Sequence, residues 1–190
     1  MSFVLLGILN SQAAGAGGLA AYDLLETQTL ASSASSVTFT GLDSYTDYKH
    51  LQIRYTLRGV DNSANLDLIK WTFNSTSGGS AYAYHRLRGY NSTVSSSASS
   101  SESYIYSGVF PDDGQPAGMF GAGVADILDF SSTSKNTTLR SFEGGISPSF
   151  TSVYFSSGLY NSTDAITSIT MTSTYSGWVA NSRISLYGVK

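Results

Sequence analysis

The chain reads as an all-β protein, a jelly-roll-like two-sheet sandwich with an extended N-terminal arm. Three observations carry that reading. The apolar residues recur every second position rather than every third or fourth, which is the period of a strand. The alternating runs are short and broken by Gly, Ser, Asn and Asp, giving about eleven strands at spacings of roughly 8–15 residues. No stretch of ten residues or more holds a helical pattern.

The length of 190 residues suits one domain with an arm. Charged residues make up 12% of the chain, about half the usual share, while there are 19 glycines and 13 tyrosines. Small polar residues therefore take the place of charge on the surface. The net charge of -3, with 10 basic residues scattered singly, argues against nucleic acid as a partner. With no cysteine, disulfides, thiolate metal sites and cysteine nucleophiles are all excluded.

Residues 1–21 stand apart from the domain expected over 22–190. Phe3, Val4, Leu5, Leu6, Ile8 and Leu9 form an apolar run, followed by a Gly/Ala tract with the composition of a linker. No Lys or Arg precedes the run, and it is short for a secretory signal and far too short to cross a bilayer. It reads as a docking arm for a neighbouring protein, or as the first strand of the domain's own sheet. Burying its six large side chains is worth roughly 9–18 kcal/mol before the cost of ordering the segment.

From Tyr22 the elements follow in order. Tyr22 to Leu30 places Leu24, Glu26, Gln28 and Leu30 on one parity, and Val37 and Phe39 begin a short strand ending at Gly41. Tyr48 to Arg58 is the cleanest alternation: Leu51, Ile53, Tyr55 and Leu57 face one way, and His50, Gln52, Arg54, Thr56 and Arg58 the other. It is expected to be a central strand with a wet polar face on which no second residue set converges. Gly59 to Ala64 is a turn, Leu66 to Phe73 a strand with Ile69, Trp71 and Phe73 on one side, and Ala81 to Leu87 another.

Tyr90 to Glu102 is nearly all serine at its centre and is expected to be an exposed loop. Ser103 to Phe110 resumes a strand, and Pro111 to Gly118 is the strongest turn signal in the chain. Gly121 to Phe130, Thr137 to Phe142, Ser152 to Ser157, Ile166 to Thr172 and Arg183 to Val189 complete the set.

The sequence offers little catalytic chemistry. It holds no Gly-x-Ser-x-Gly elbow and no Ser-x-x-Lys run. His50 and His85 are isolated strand histidines without metal-ligand spacing. Asp126 and Asp129, three apart on a strand, point to opposite faces and make a poor catalytic pair. No enzyme activity, no metal and no cofactor are expected. Arg86 and Arg88, sharing one strand face, come nearest to a basic cluster. Aromatic side chains with short polar neighbours make Trp71, Tyr90 and Tyr104 candidate glycan contacts. The sequons at Asn74, Asn91, Asn136 and Asn161 are expected by chance in so Ser- and Thr-rich a chain.

Several stretches resemble small virion proteins of tailed phages, in particular those infecting cyanobacteria and other aquatic bacteria. They include the opening Met1-Ser-Phe-Val-Leu-Leu-Gly-Ile-Leu, Tyr22-Asp-Leu-Leu-Glu-Thr, Ser35-Ser-Val-Thr-Phe and Tyr48-Lys-His-Leu-Gln-Ile-Arg. Ala81-Tyr-Ala-Tyr-His, Ala125-Asp-Ile-Leu-Asp-Phe, Lys135-Asn-Thr-Thr-Leu-Arg and Arg183-Ile-Ser-Leu-Tyr-Gly-Val-Lys continue the likeness along nearly the whole chain. The resemblance implies a structural protein located in the virion and brings no catalytic residues with it. Two roles fit. One is a capsid decoration (cement) protein bound to the major capsid protein and oligomeric as a dimer or trimer. The other is a tail or neck appendage, anchored to tail proteins by the arm and touching host glycans. Neither involves a membrane.

Overall fold

The computed structural model describes residues 21–61 and 66–190. The expected docking run at Phe3–Leu9 and most of its linker lie outside the described residues. Among those described there are twelve strands and one short 3-10 turn, Leu42–Ser44. The strands are β1 (Tyr22–Thr29), β2 (Ser36–Thr40), β3 (His50–Leu57), β4 (Leu66–Phe73), β5 (Tyr82–Tyr90) and β6 (Thr93–Glu102). They continue with β7 (Ile105–Pro111), β8 (Gly121–Leu128), β9 (Thr138–Ser147), β10 (Phe150–Tyr160), β11 (Ser168–Ser173) and β12 (Arg183–Val189).

Two antiparallel sheets form a jelly-roll-like sandwich. The large sheet runs β1-β12-β3-β8-β9-β10-β5-β6, and the small one β2-β11-β4-β7. The alternation at Tyr48 to Arg58 becomes β3, an interior strand between β12 and β8, with Leu51, Ile53, Tyr55 and Leu57 turned into the core. They meet Phe39, Ile69, Trp71, Phe73, Ile169 and Met171, all buried, from the small sheet. Trp71 also donates from its ring nitrogen to the Ser107 hydroxyl at 2.5 Å, so its polar atom is satisfied inside.

Three expectations need correcting. Tyr90 to Glu102 is not a loop: Thr93 to Glu102 is an edge strand in register with β5, from Tyr90↔Thr93 to Tyr82↔Glu102. An edge strand can rest on backbone hydrogen bonds without burying apolar side chains, so a serine tract suffices. Asn91, at φ 49°, turns the hairpin. In β1 a bulge between Leu24 and Glu26 breaks the parity; Leu24 is exposed while Leu25 and Leu30 pack on the core. Gln52 on β3, and Arg58 just past its end, are buried rather than wet.

Arg58 is buried because it fastens the turn after β7. Its guanidinium donates to the carbonyls of Pro116 (2.8 Å), Gln115 (2.7 Å) and Asp113 (3.2 Å), and to the Asp113 carboxylate at 2.9 Å. The strongest turn in the sequence is thus held from its inner side by one arginine.

The middle of the large sheet departs from the usual polarity of a sandwich. In β9 and β10 the buried parity carries Ser141, Glu143, Ser147, Ser152 and Ser156 beside Leu139, Phe150, Tyr154 and Tyr160, while Phe142, Ile146, Val153 and Phe155 face outward. Close approach of β7, which lies against β9 and β10, explains the small inner residues. A Cβ on Gly158 would come within 2.4 Å of Ile105, and one on Gly145 within 3.3 Å of Pro111. Larger inward side chains would push the two sheets apart.

Candidate functional site

Two surfaces and one buried acid carry the features that packing alone does not require. The first surface is the outer face of the large sheet. Phe155 stands directly between Leu87 on β5 and Phe142 on β9 in the strand register. Val153 lies between Gly89 and Gly144, with Val94 beyond Gly89 on β6. The glycines leave Val153 low neighbours: a Cβ at Gly89 would sit 3.1 Å from it. Exposure runs from 43% at Val153 to 72% at Ile146 and 74% at Val94. These six side chains form one apolar patch across β6, β5, β10 and β9, too clustered to be scattered surface leucines.

The second surface is a groove on the opposite face of β5, where the β5–β6 hairpin meets β4 and β7. Tyr82, Tyr84, Arg86, Arg88 and Tyr90 share one parity, so Arg86 and Arg88 point to the same side. Arg86 lies over the rings of Tyr84 (4.9 Å) and Tyr106 (5.4 Å), and Arg88 over Tyr90 (4.2 Å) and Tyr154 (5.8 Å). From β6, the Ser97 hydroxyl accepts from Arg86 Nε and Nη2 at 3.2 and 3.1 Å. A cavity of about 210 Å³ lies between Arg86, Arg88, Tyr154 and Ser95–Ser97. A second, of about 470 Å³, shares Arg86 and Leu68 with it and is lined further by Lys70, Tyr106, Thr174 and Tyr175.

The far wall of the groove is positioned by a buried carboxylate. Asp67 on β4 accepts the backbone N–H of Leu68 at 2.6 Å and of Thr174 at 3.1 Å, and the hydroxyls of Ser173 and Thr174. This ties the end of β11 to β4 and fixes Thr174 and Tyr175 beside Lys70. A bulge in β7 at Gly108, φ 65°, shifts the neighbouring register between Asp67 and Ile69.

The sequence-derived glycan candidates separate on this geometry. Trp71 is fully buried under the small sheet and can offer no face to a glycan; its strand parity put it in the core with Ile69 and Phe73. Tyr90 stacks on Phe150 at 6.3 Å under Arg88, and Tyr104 packs edge-on against Tyr106 under Lys70. Both support the walls of the groove. Tyr175 was not anticipated, although a tyrosine just beyond a strand in a Thr/Ser tract is a legible surface aromatic; it is 60% exposed.

Candidate chemistry elsewhere is accounted for by local bonding. His50 Nδ1 accepts the Asp129 N–H at 2.9 Å, and Asp129 pairs with Lys135, which holds its carboxyl below the usual range. Asp126 accepts from Gln52 at 2.7 Å, and Gln52 accepts from Arg54, which lies over Tyr187 (4.6 Å) and Tyr22 (5.2 Å). The polar face of β3 therefore does have a partner set, contrary to the sequence reading. Glu143, sealed beneath Gly123 and Tyr55, is the most perturbed acid. Burial pushes its pKa up to about 7, with Ser141, the Tyr55 hydroxyl and Ser107 drawing it back. Tyr55 donates to it at 3.0 Å. Among the described residues no group of three or more His, Cys, Asp or Glu is placed to hold a metal ion.

Comparison with known proteins adds little. No family model matches the chain, and no curated protein matches it. Among solved structures, an exo-inulinase from Aspergillus awamori overlaps 88% of this chain and 29% of its own, at 14% identity and a TM-score of 0.41. The chain thus spans less than a third of that enzyme's length, and so distant a likeness carries no argument.

Proposed function

We propose that this chain is a non-catalytic structural protein of a phage particle, a capsid decoration protein that clamps the major capsid protein. One observation supports this most: the contiguous apolar patch of Leu87, Val94, Phe142, Ile146, Val153 and Phe155 on a sheet face left exposed among the described residues. A protein that leaves two phenylalanines and four aliphatics in water on one face is built to cover them with another protein. The low charge and the serine-rich remainder of the surface suit a body packed among others. The apolar run at Phe3–Leu9 supplies a second attachment element by sequence.

The alternative role, a tail or neck appendage that contacts host glycans, draws on the basic, aromatic groove instead. Copy number on purified particles separates the two. Hundreds of copies place the protein on the shell, a handful on the tail, and none overturns both. Deleting residues 2–9 is expected to leave a folded, soluble domain that no longer joins particles; loss of folding would make that segment a strand of the domain itself.

A further inference from the structure

Three of the chain's ten basic residues, Lys70, Arg86 and Arg88, border one groove, and no carboxylate lines either of its cavities. None of the three is paired with an acid within salt-bridge distance, unlike Arg58, Lys135 and Lys190. The residues outside the described structure contain no Asp or Glu, so no acidic side chain hidden from view compensates them. Arg86 Nη1 and Arg88 Nε are closed off from solvent without an acceptor. Two guanidiniums on alternate positions of one strand start roughly 7 Å apart and repel each other. Ring faces and the neutral hydroxyls of Ser97 and Tyr154 offset only part of the cost of holding such charges out of water.

We propose that this groove is a binding site for an acidic saccharide. Arg86 and Arg88 receive an oxyanion, the carboxylate of a uronic acid or a sulfate ester, in the smaller cavity, where Ser95 and Ser97 add hydroxyls. Arg88 can meet such a group through its terminal nitrogens, while Arg86, whose Nε and Nη2 donate to Ser97, adds its charge from beside it. The larger cavity, which shares Arg86 and Leu68 with the first, takes the sugar ring. Its exposed Tyr175 gives a flat apolar face for ring C–H groups, while Thr174 and Lys70 meet ring hydroxyls. Its volume lies in the range of small-ligand sites. The site is independent of where on a particle the protein sits, because binding is measured on the isolated full-length chain.

The test is calorimetric titration of the protein with a monosulfated disaccharide, a uronate-containing disaccharide, their neutral parents and inorganic sulfate, at about 0.1 M salt. At least one acidic disaccharide is expected to bind about tenfold or more tightly than its neutral parent and than inorganic sulfate. Arg88→Gln should weaken that binding about tenfold, and binding should fall as salt rises. Tyr175→Ala, a change at an exposed residue that leaves the fold intact, should weaken the disaccharide but not inorganic sulfate. Equal binding of acidic and neutral sugars, binding of inorganic sulfate alone, or no binding of any probe overturns the proposal.

Discussion

The two ends of the large sheet follow opposite rules. Across β12, β3 and β8 the inner face is apolar and dry, built from Ile184, Leu186, Leu51, Ile53 and Ile127, and the outer face carries Gln52, Arg54, Thr56 and Ser185. Across β9, β10, β5 and β6 the inner face mixes serines, Glu143 and two arginines with Tyr82, Leu139, Phe150, Tyr154 and Tyr160, and the outer face holds leucine, valine, isoleucine and phenylalanine. The first end obeys the pattern that stabilises a sandwich. The second buries Leu139, Phe150, Tyr154 and Tyr160 among polar side chains on its inner face and leaves apolar side chains in the open on its outer one. What it gains is an apolar patch on one side and a charged groove on the other, which is why both functional proposals fall at that end.

The contrast can be broken most forcefully beneath the dry end, where Trp71 of the small sheet packs on Tyr55 of β3. Trp71→Ala should cost about 3–5 kcal/mol, because it empties a fully enclosed site and orphans the Ser107 hydroxyl. A urea titration reads this directly. Phe155→Ala on the wet side changes nearly as large a side chain, and the gap between the two costs measures how differently the ends are built.

Glu143 sharpens the comparison through pH. Its folded pKa of about 7 lies above the ordinary 4.5, so the folded state holds a proton that the unfolded chain has lost. The stability this contributes is complete below pH 4.5 and is lost as pH rises through about 7. A shift of that size corresponds to something on the order of 3 kcal/mol. Melting curves from pH 4.5 to 8 on the native protein and on Glu143→Gln should show the decline largely removed in the variant; parallel declines would mean Glu143 is not its source.

Gly158→Val tests why the inner face of β10 is small. The added side chain meets Ile105, and a loss of about 1–3 kcal/mol in chemical denaturation is expected. Ser157→Val, one position away on the outer face, should be close to neutral.

The smallest effect on stability is predicted where the effect on assembly is largest. Phe142→Ser with Phe155→Ser should alter stability by less than about 1 kcal/mol, since both side chains already face water. The same pair should abolish incorporation into particles if the patch is the docking face. Unchanged incorporation would shift the weight of the function to the groove or to residues 3–9.

Much of the fold was readable without coordinates. Period-2 alternation located β3, β4 and β12 to within a residue or two, because each has one apolar parity and a core to put it in. The lack of helical periodicity and the spacing of Gly- and Asn-rich turns determined the all-β class. Where one parity was not plainly apolar the reading weakened. Thr93 to Glu102 offered no hydrophobic signal, and its strand exists because β5 presents an unpaired backbone to it.

Which way β9 and β10 face was decided by tertiary structure alone. Their sequences alternate well, with Phe142 and Ile146 set against Ser141 and Glu143, and taken alone they call for the phenylalanine to be buried. The close approach of β7, through Ile105 and Pro111, leaves no room for a side chain at Gly158 and little at Gly145, while Leu139, Phe150, Tyr154 and Tyr160 fill the rest of the same inner face. The same packing carries Arg86 and Arg88 to the inside of the hairpin and brings Lys70, Thr174 and Tyr175 opposite them. Alternation along a strand says that its two faces differ; only the neighbouring sheet determines which of them the water keeps.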